Sequence, residues 1–142
     1  MIFETKNYEG TIEFGKRFGA LLTKGSIVGF FGDLGSGKTT MIKGVTQGLG
    51  VKELVKSPSF VVVTEYQGRL PVYHIDLYRI TKLNELTEIG FEQYLYGDGI
   101  SLIEWAEKVE NFLPASAIKV KIEIINQNQR QITITNFNQP IN

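Results

Sequence analysis

The stretch GDLGSGKT, Gly32 to Thr39, constrains this chain more than any other feature, because it fits G-x-x-x-x-G-K-[ST] and sits between an apolar run and an amphipathic helix. SIVGFF, residues 26–31, reads as a strand buried on both faces. Met41, Val45 and Leu49 recur at helical spacing until Gly50 stops the pattern. In this context the glycines let the backbone curl until several N–H groups converge on a phosphate, and the following helix aims its positive dipole end at the same point. The candidate nucleotide-binding residues are therefore Asp33, Leu34, Gly35, Ser36, Gly37, Lys38, Thr39 and Thr40. Lys38 supplies a point charge to the β- and γ-phosphates, the Thr39 hydroxyl a ligand for Mg²⁺, and Thr40 a contact to the α-phosphate. No G-x-G-x-x-G stretch occurs, so a Rossmann dinucleotide site is excluded.

Composition narrows the remaining chemistry. The 142 residues are 42% hydrophobic, enough for one core, and residues 1–142 are expected to form a single P-loop domain. Fifteen Lys and Arg balance fifteen Asp and Glu, so no broad basic surface points to DNA or to an anionic membrane. The absence of Cys removes thiolate nucleophiles and disulfides, and the lone His74 removes multi-histidine metal clusters. No apolar run approaches membrane-spanning length, and MIFETKNYEG lacks the pattern of a signal peptide, so a cytoplasmic location is expected.

The rest of the chain reads as α/β. Residues 2–5 suggest a short strand, followed by an amphipathic helix that carries Phe14, Phe18, Leu21 and Leu22 on one face, with Thr11 as its expected cap. Phe60 to Tyr66 and Val72 to Ile75 form an expected hairpin turning at Gln67 and Gly68. Thr81 to Tyr96 is helical in composition but interrupted at Gly90. Ile100 to Ile103 is a further apolar strand, and a short helix ends near Pro114. Ile118 to Ile125 and Gln131 to Phe137 alternate on either side of NQNQR, which predicts a C-terminal antiparallel pair at the end of a mostly parallel sheet. The expected fold is a three-layer P-loop NTPase-like domain.

A phosphate loop needs a carboxylate to hold Mg²⁺ or orient water, normally where a neighbouring apolar strand ends. Asp76 ends VYHID and Glu104 ends ISLIE, and either can serve. Glu104 follows the more apolar run and is the better candidate ligand, whereas Asp76 could equally cap the turn into Leu77 to Ile80. His74 shares a strand face with Asp76, and a single strand histidine is more often a packed core residue than a base. Trp105 is a core, nucleotide or partner contact. Ser57-Pro58-Ser59 is a rigid turn or a γ-phosphate switch; Arg79 and Arg130 are solvated or face phosphate.

Taken together, GDLGSGKTT, SPSF, HIDLYR and DGISLIEWAE, in this order and at these separations, resemble the bacterial TsaE (YjeE) ATPases of tRNA threonylcarbamoyladenosine biosynthesis. The resemblance runs from the Thr11 helix to the Arg130 hairpin. It implies a slow Mg²⁺-dependent ATPase that acts on a TsaB–TsaD complex, meets tRNA indirectly through that complex, and permits repeated turnover. By position it implies that Lys38 is the phosphate lysine, Thr39 and Glu104 the Mg²⁺ ligands, and Asp76 a catalytic carboxylate. It further implies that Thr11, Glu107, Arg130 and Trp105 border the nucleotide or the partner, with Arg79 and Ser59 in a switch or partner surface. The family usually has Thr where Ser59 stands and Ala where Ser36 stands. A small-molecule or nucleotide kinase and a non-catalytic nucleotide sensor are the competing readings. Only four Arg, at 17, 69, 79 and 130, are available for a kinase lid, and no N-K-x-D stretch supports a GTPase.

Overall fold

The computed structural model describes residues 1–55 and 62–141. In chain order the elements are β1 Ile2–Thr5, α1 Tyr8–Ala20, β2 Ile27–Phe31, α2 Lys38–Gly48, β3 Val63–Gln67, β4 Pro71–Asp76, α3 Asn84–Glu88, α4 Phe91–Leu95, β5 Ile100–Glu104, a 3₁₀ helix Ala106–Phe112, β6 Ile118–Ile124 and β7 Arg130–Thr135. The strands form one seven-stranded sheet ordered β1-β7-β6-β2-β5-β4-β3. Its centre is parallel, with β2 between β5 and β6 and β4 outside β5. The two edges are antiparallel, made by β3 on β4 and by the β6–β7 hairpin followed by β1. The C-terminal hairpin is thus not the end of the sheet: β1 pairs with β7 and takes the edge.

Unbroken apolar strands have to be covered on both faces, and these are. One face of the sheet packs Val28, Phe30, Val72, Leu102 and Val120 against Phe14, Phe18 and Leu22 of the α1 region and Met41, Ile42 and Val45 of α2. The other packs Ile27, Ile75 and Ile103 against Leu86, Phe91, Leu95 and Val109 from α3, α4 and the 3₁₀ helix. The composition of 81–96 is realised as two five-residue helices broken at Gly90, whose φ is +71°. Among the described residues no helix is long and apolar enough to cross a membrane.

Two sequence expectations are corrected in α1 and β3. The cap of α1 is Asn7, whose side chain accepts from Gly10 N–H at 2.8 Å; Thr11 lies inside the helix, buried, with its hydroxyl 2.8 Å from that of Thr5. Gln67 belongs to β3 and pairs with Pro71, so the turn is carried by residues 68–70. There the Arg69 guanidinium donates to the carbonyls of Gly19, Ala20 and Leu22 at the end of α1. Residues 60 and 61 of that expected strand lie outside the described residues.

The contact between α1 and α2 is backbone on backbone. A Cβ at Gly19 would fall 2.2 Å from Val45 O, and one at Gly44 would fall 2.0 Å from Ile12 O. No real side chain tolerates such distances, so glycine is required on both helices. Elsewhere in a helix, Gly→Ala gains up to about 1 kcal/mol. At this seam Gly44→Ala should instead lower stability by about 1–3 kcal/mol through overpacking. Urea denaturation checks the reversed sign.

Candidate nucleotide-binding site

The loop leaves the C-terminal end of β2 and re-enters regular structure at Lys38, the first residue of α2. Gly37 makes the entry with φ +109°, a conformation that a residue with a Cβ rarely adopts. The adjacent strands end beside it. Phe30 pairs with Glu104, and Glu104 with Asp76, in parallel register, so both acids emerge at the loop's end of the sheet. Side-chain alternation puts His74, Asp76, Leu102 and Glu104 on the face that α2 covers.

Lys38 is only 5% exposed. Its ammonium donates to the carbonyl oxygens of Gly32 and Asp33 and lies 3.8 Å from the centroid of the Trp105 ring. Burial pushes it below its ordinary lysine value, against the opposing pull of Glu107, Glu104, Asp33 and Asp76. Thr39 donates its hydroxyl to Glu104 Oε1 at 2.7 Å, and Glu104 is itself 2% exposed. The second carboxylate oxygen, Oε2, meets His74 Nε2 at 2.5 Å. Asp76 Oδ1 accepts from Tyr78 N–H at 3.0 Å, so the turn-capping reading holds for that oxygen.

Trp105 carries a left-handed backbone, φ +59°, which is strained for a bulky residue. That turn lets the chain leave β5 and enter the 3₁₀ helix while the indole reaches both Lys38 and the Tyr78 ring, 5.2 Å between centroids. Glu107 accepts from Gly32 N–H at 3.0 Å. Arg130 binds loop carbonyls, Nε to Ser36 O at 2.8 Å and Nη2 to Gly35 O at 3.3 Å, while Nη1 holds Asn126 O and Gln129 O. Leu34 projects from the loop, 73% exposed, and Thr40 is half-buried in the first turn of α2. Arg79 is exposed on the segment after Asp76, which Lys108 fixes by donating to Tyr78 O and Ile80 O. Thr11 is buried near the start of α1, its hydroxyl 2.8 Å from that of Thr5 and donating to the carbonyl of Asn7. Ser57, Pro58 and Ser59 lie outside the described residues.

The structure therefore gathers Lys38, Thr39, Asp76, Glu104, Trp105, Glu107 and Arg130 around one loop. Two contributors were not assigned a part from the sequence: Lys108, for which no motif signals the contact, and His74, whose bond to Glu104 becomes visible only when β4 and β5 are known to be neighbours.

A glycine-rich loop between a parallel strand and a helix, with a buried lysine and strand-end acids beside it, defines a P-loop nucleotide-binding protein. The family model described as threonylcarbamoyl adenosine biosynthesis protein TsaE matches residues 5–132. A protein of that name from Treponema pallidum is 36% identical over 92% of this chain and 96% of its own length, and one from Bacillus subtilis 38% identical over 94% and 84%. The crystal structure of Bacillus subtilis YdiB superposes with a TM-score of 0.81 at 35% identity, covering 94% of this chain and 83% of that one. This chain belongs to the TsaE family, and its function lies in tRNA threonylcarbamoyladenosine biosynthesis.

One polar atom in the loop is unsatisfied. Ser36 is 1% exposed, and its hydroxyl has no hydrogen-bond partner among the described residues. Removing a desolvated, unpaired hydroxyl relieves a cost, so Ser36→Ala should raise stability by about 1 kcal/mol. Thermal unfolding measures the gain, and calorimetric titration should find nucleotide affinity unchanged, because the loop offers its backbone rather than this side chain.

Proposed function

We propose that the chain is a Mg²⁺-dependent ATPase of low intrinsic activity that acts on a TsaB–TsaD complex in the cytoplasm, reaching tRNA indirectly through that complex and working as one nucleotide-binding unit. The observation that carries the ATP and Mg²⁺ part is the contact of Thr39 with Glu104 beside a buried Lys38. A hydroxyl and a carboxylate oxygen 2.7 Å apart form the hard-oxygen pair that suits Mg²⁺. Phosphate oxygens and water would complete the coordination of such a cation. When bound, Mg²⁺ would neutralise charge developing on the phosphates.

In this reading each residue has a separate task. The loop N–H groups of Asp33 to Thr40 bind phosphate, and Lys38 exchanges the carbonyls of Gly32 and Asp33 for phosphate oxygens. Asp76, at the neighbouring strand end, orients the attacking water. Glu107 and Arg130 hold the two sides of the loop, the first through Gly32 N–H and the second through the carbonyls of Gly35 and Ser36. Thr11 borders the nucleotide from α1, while Ser59, Arg79 and Trp105 form the switch and partner surface. Arg130 donates to loop carbonyls, and Arg79, exposed on the segment just past Asp76, either serves in cis or binds the partner; docking then completes the charge-stabilising groups around the phosphates.

Two measurements test this. Phosphate release should rise as purified TsaB–TsaD is titrated in, by up to about a thousandfold if a charge-stabilising group is completed on docking. A flat titration with the wild-type chain overturns partner activation. Separately, Lys38→Ala should abolish ATP binding by calorimetry, while its far-ultraviolet circular dichroism stays that of the wild type.

A further inference from the structure

We propose that His74 is a positioning residue for the metal-binding carboxylate, its Nε2–H fixing Glu104 through Oε2 so that Oε1 stays turned toward Thr39 and the cation. The inference rests on the reading of Thr39 and Glu104 as Mg²⁺ ligands.

His74 is fully buried on β4, flanked along its own face by Val72 and Asp76. Its register partner on β5 is Leu102, so the ring reaches one step along the neighbouring strand to Glu104. A carboxylate accepts hydrogen bonds, which places the ring proton on Nε2. Nδ1 is buried with no partner among the described residues, so Glu104 is the ring's one polar contact there. As packing alone, an imidazole at this position is costly: an apolar side chain would fill the same space beside Val72 and Leu102 without a bare nitrogen.

The reason for the imidazole lies in Glu104. The terminal torsion of a glutamate is broad and roughly two-fold, so a carboxylate held at one oxygen only can swing. Thr39 engages Oε1 and His74 engages Oε2, which fixes the plane of the group between α2 and β4. Loss of the second contact would leave Oε2 buried without a donor and let the carboxylate rotate away from Thr39. Outer contacts of this kind are worth about 10–100-fold in metal affinity.

The test compares two amides that differ in reach. Gln places its Nε2 where the histidine Nε2 lies, whereas the amide of Asn stops short of Glu104. Mn²⁺ is titrated into the complex of each protein with the non-hydrolysable β,γ-imido analogue of ATP and followed by electron paramagnetic resonance. His74→Asn should bind Mn²⁺ about 10–100-fold more weakly than wild type, and His74→Gln within about threefold of it. Affinity for the analogue in EDTA should be the same in all three. Equal losses in the two variants, or a loss that persists in EDTA, would mark His74 as a packing residue and overturn the proposal. If both amides lower stability, His74→Leu gives the same reading: weaker Mn²⁺ with intact metal-free binding supports the proposal, and wild-type Mn²⁺ affinity refutes it. Glu104→Gln separates the two levels. If Glu104→Gln weakens Mn²⁺ and His74→Asn does not, only the role of His74 falls; if neither does, the metal-site reading falls with it.

Discussion

A carboxylate removed from water must find its partners inside the protein, and Glu104 is removed almost completely. It finds one on each side. The hydroxyl of Thr39 comes from the first turn of α2, and the imidazole of His74 from the adjacent strand β4. Both partners exist only if β4, β5 and β2 lie side by side in parallel with their ends level and α2 covers the same face, which is the observed register. The polar centre and the sheet order are thus two statements of one constraint: a slip of one residue in β4 or β5 would turn His74 or Glu104 to the opposite face and strand the charge.

What was legible in the sequence follows from how local each signal is. The loop, α2 and the strands on either side of it are written in consecutive residues, and the bracketing of GDLGSGKT by an apolar run and an amphipathic helix needs no tertiary information. Asp76 and Glu104 were recognisable because each ends an apolar strand. The part played by His74 was not, because it depends on which strand lies next to which. Asn7 displaced Thr11 as the cap because the helix begins earlier than its first buried apolar residue, over Tyr8-Glu9-Gly10, which place no side chain in the core. The edge position of β1 was equally hidden: a four-residue strand carries no mark of its partner, and pairing with β7 closes a separation of more than a hundred residues. For Ser57 to Ser59 the sequence reading stands alone, since those residues lie outside the described structure.

Charge is distributed here in a way that the zero net value conceals. The lysine at the heart of the loop is surrounded by Asp33, Asp76, Glu104 and Glu107, yet burial still depresses its proton affinity, so desolvation outweighs four acidic neighbours. Such a lysine gains most from an anion that enters and takes over its hydrogen bonds. The loop's own carbonyls and the Trp105 face hold it meanwhile, and the strained backbone of Trp105 keeps that face in place.

The glycine seam between α1 and α2 bears on how the molecule moves. Two helices whose backbones touch at Gly19 and Gly44 have no layer of side chains between them to act as a lubricant, and Arg69 clamps the far end of α1 to the β3–β4 turn. A shift of the start of α2 against α1 would have to open these backbone contacts. The other side of the loop is held differently, by side-chain hydrogen bonds: Arg130 ties it to the 126–130 turn, and Lys108 ties down the 76–80 segment.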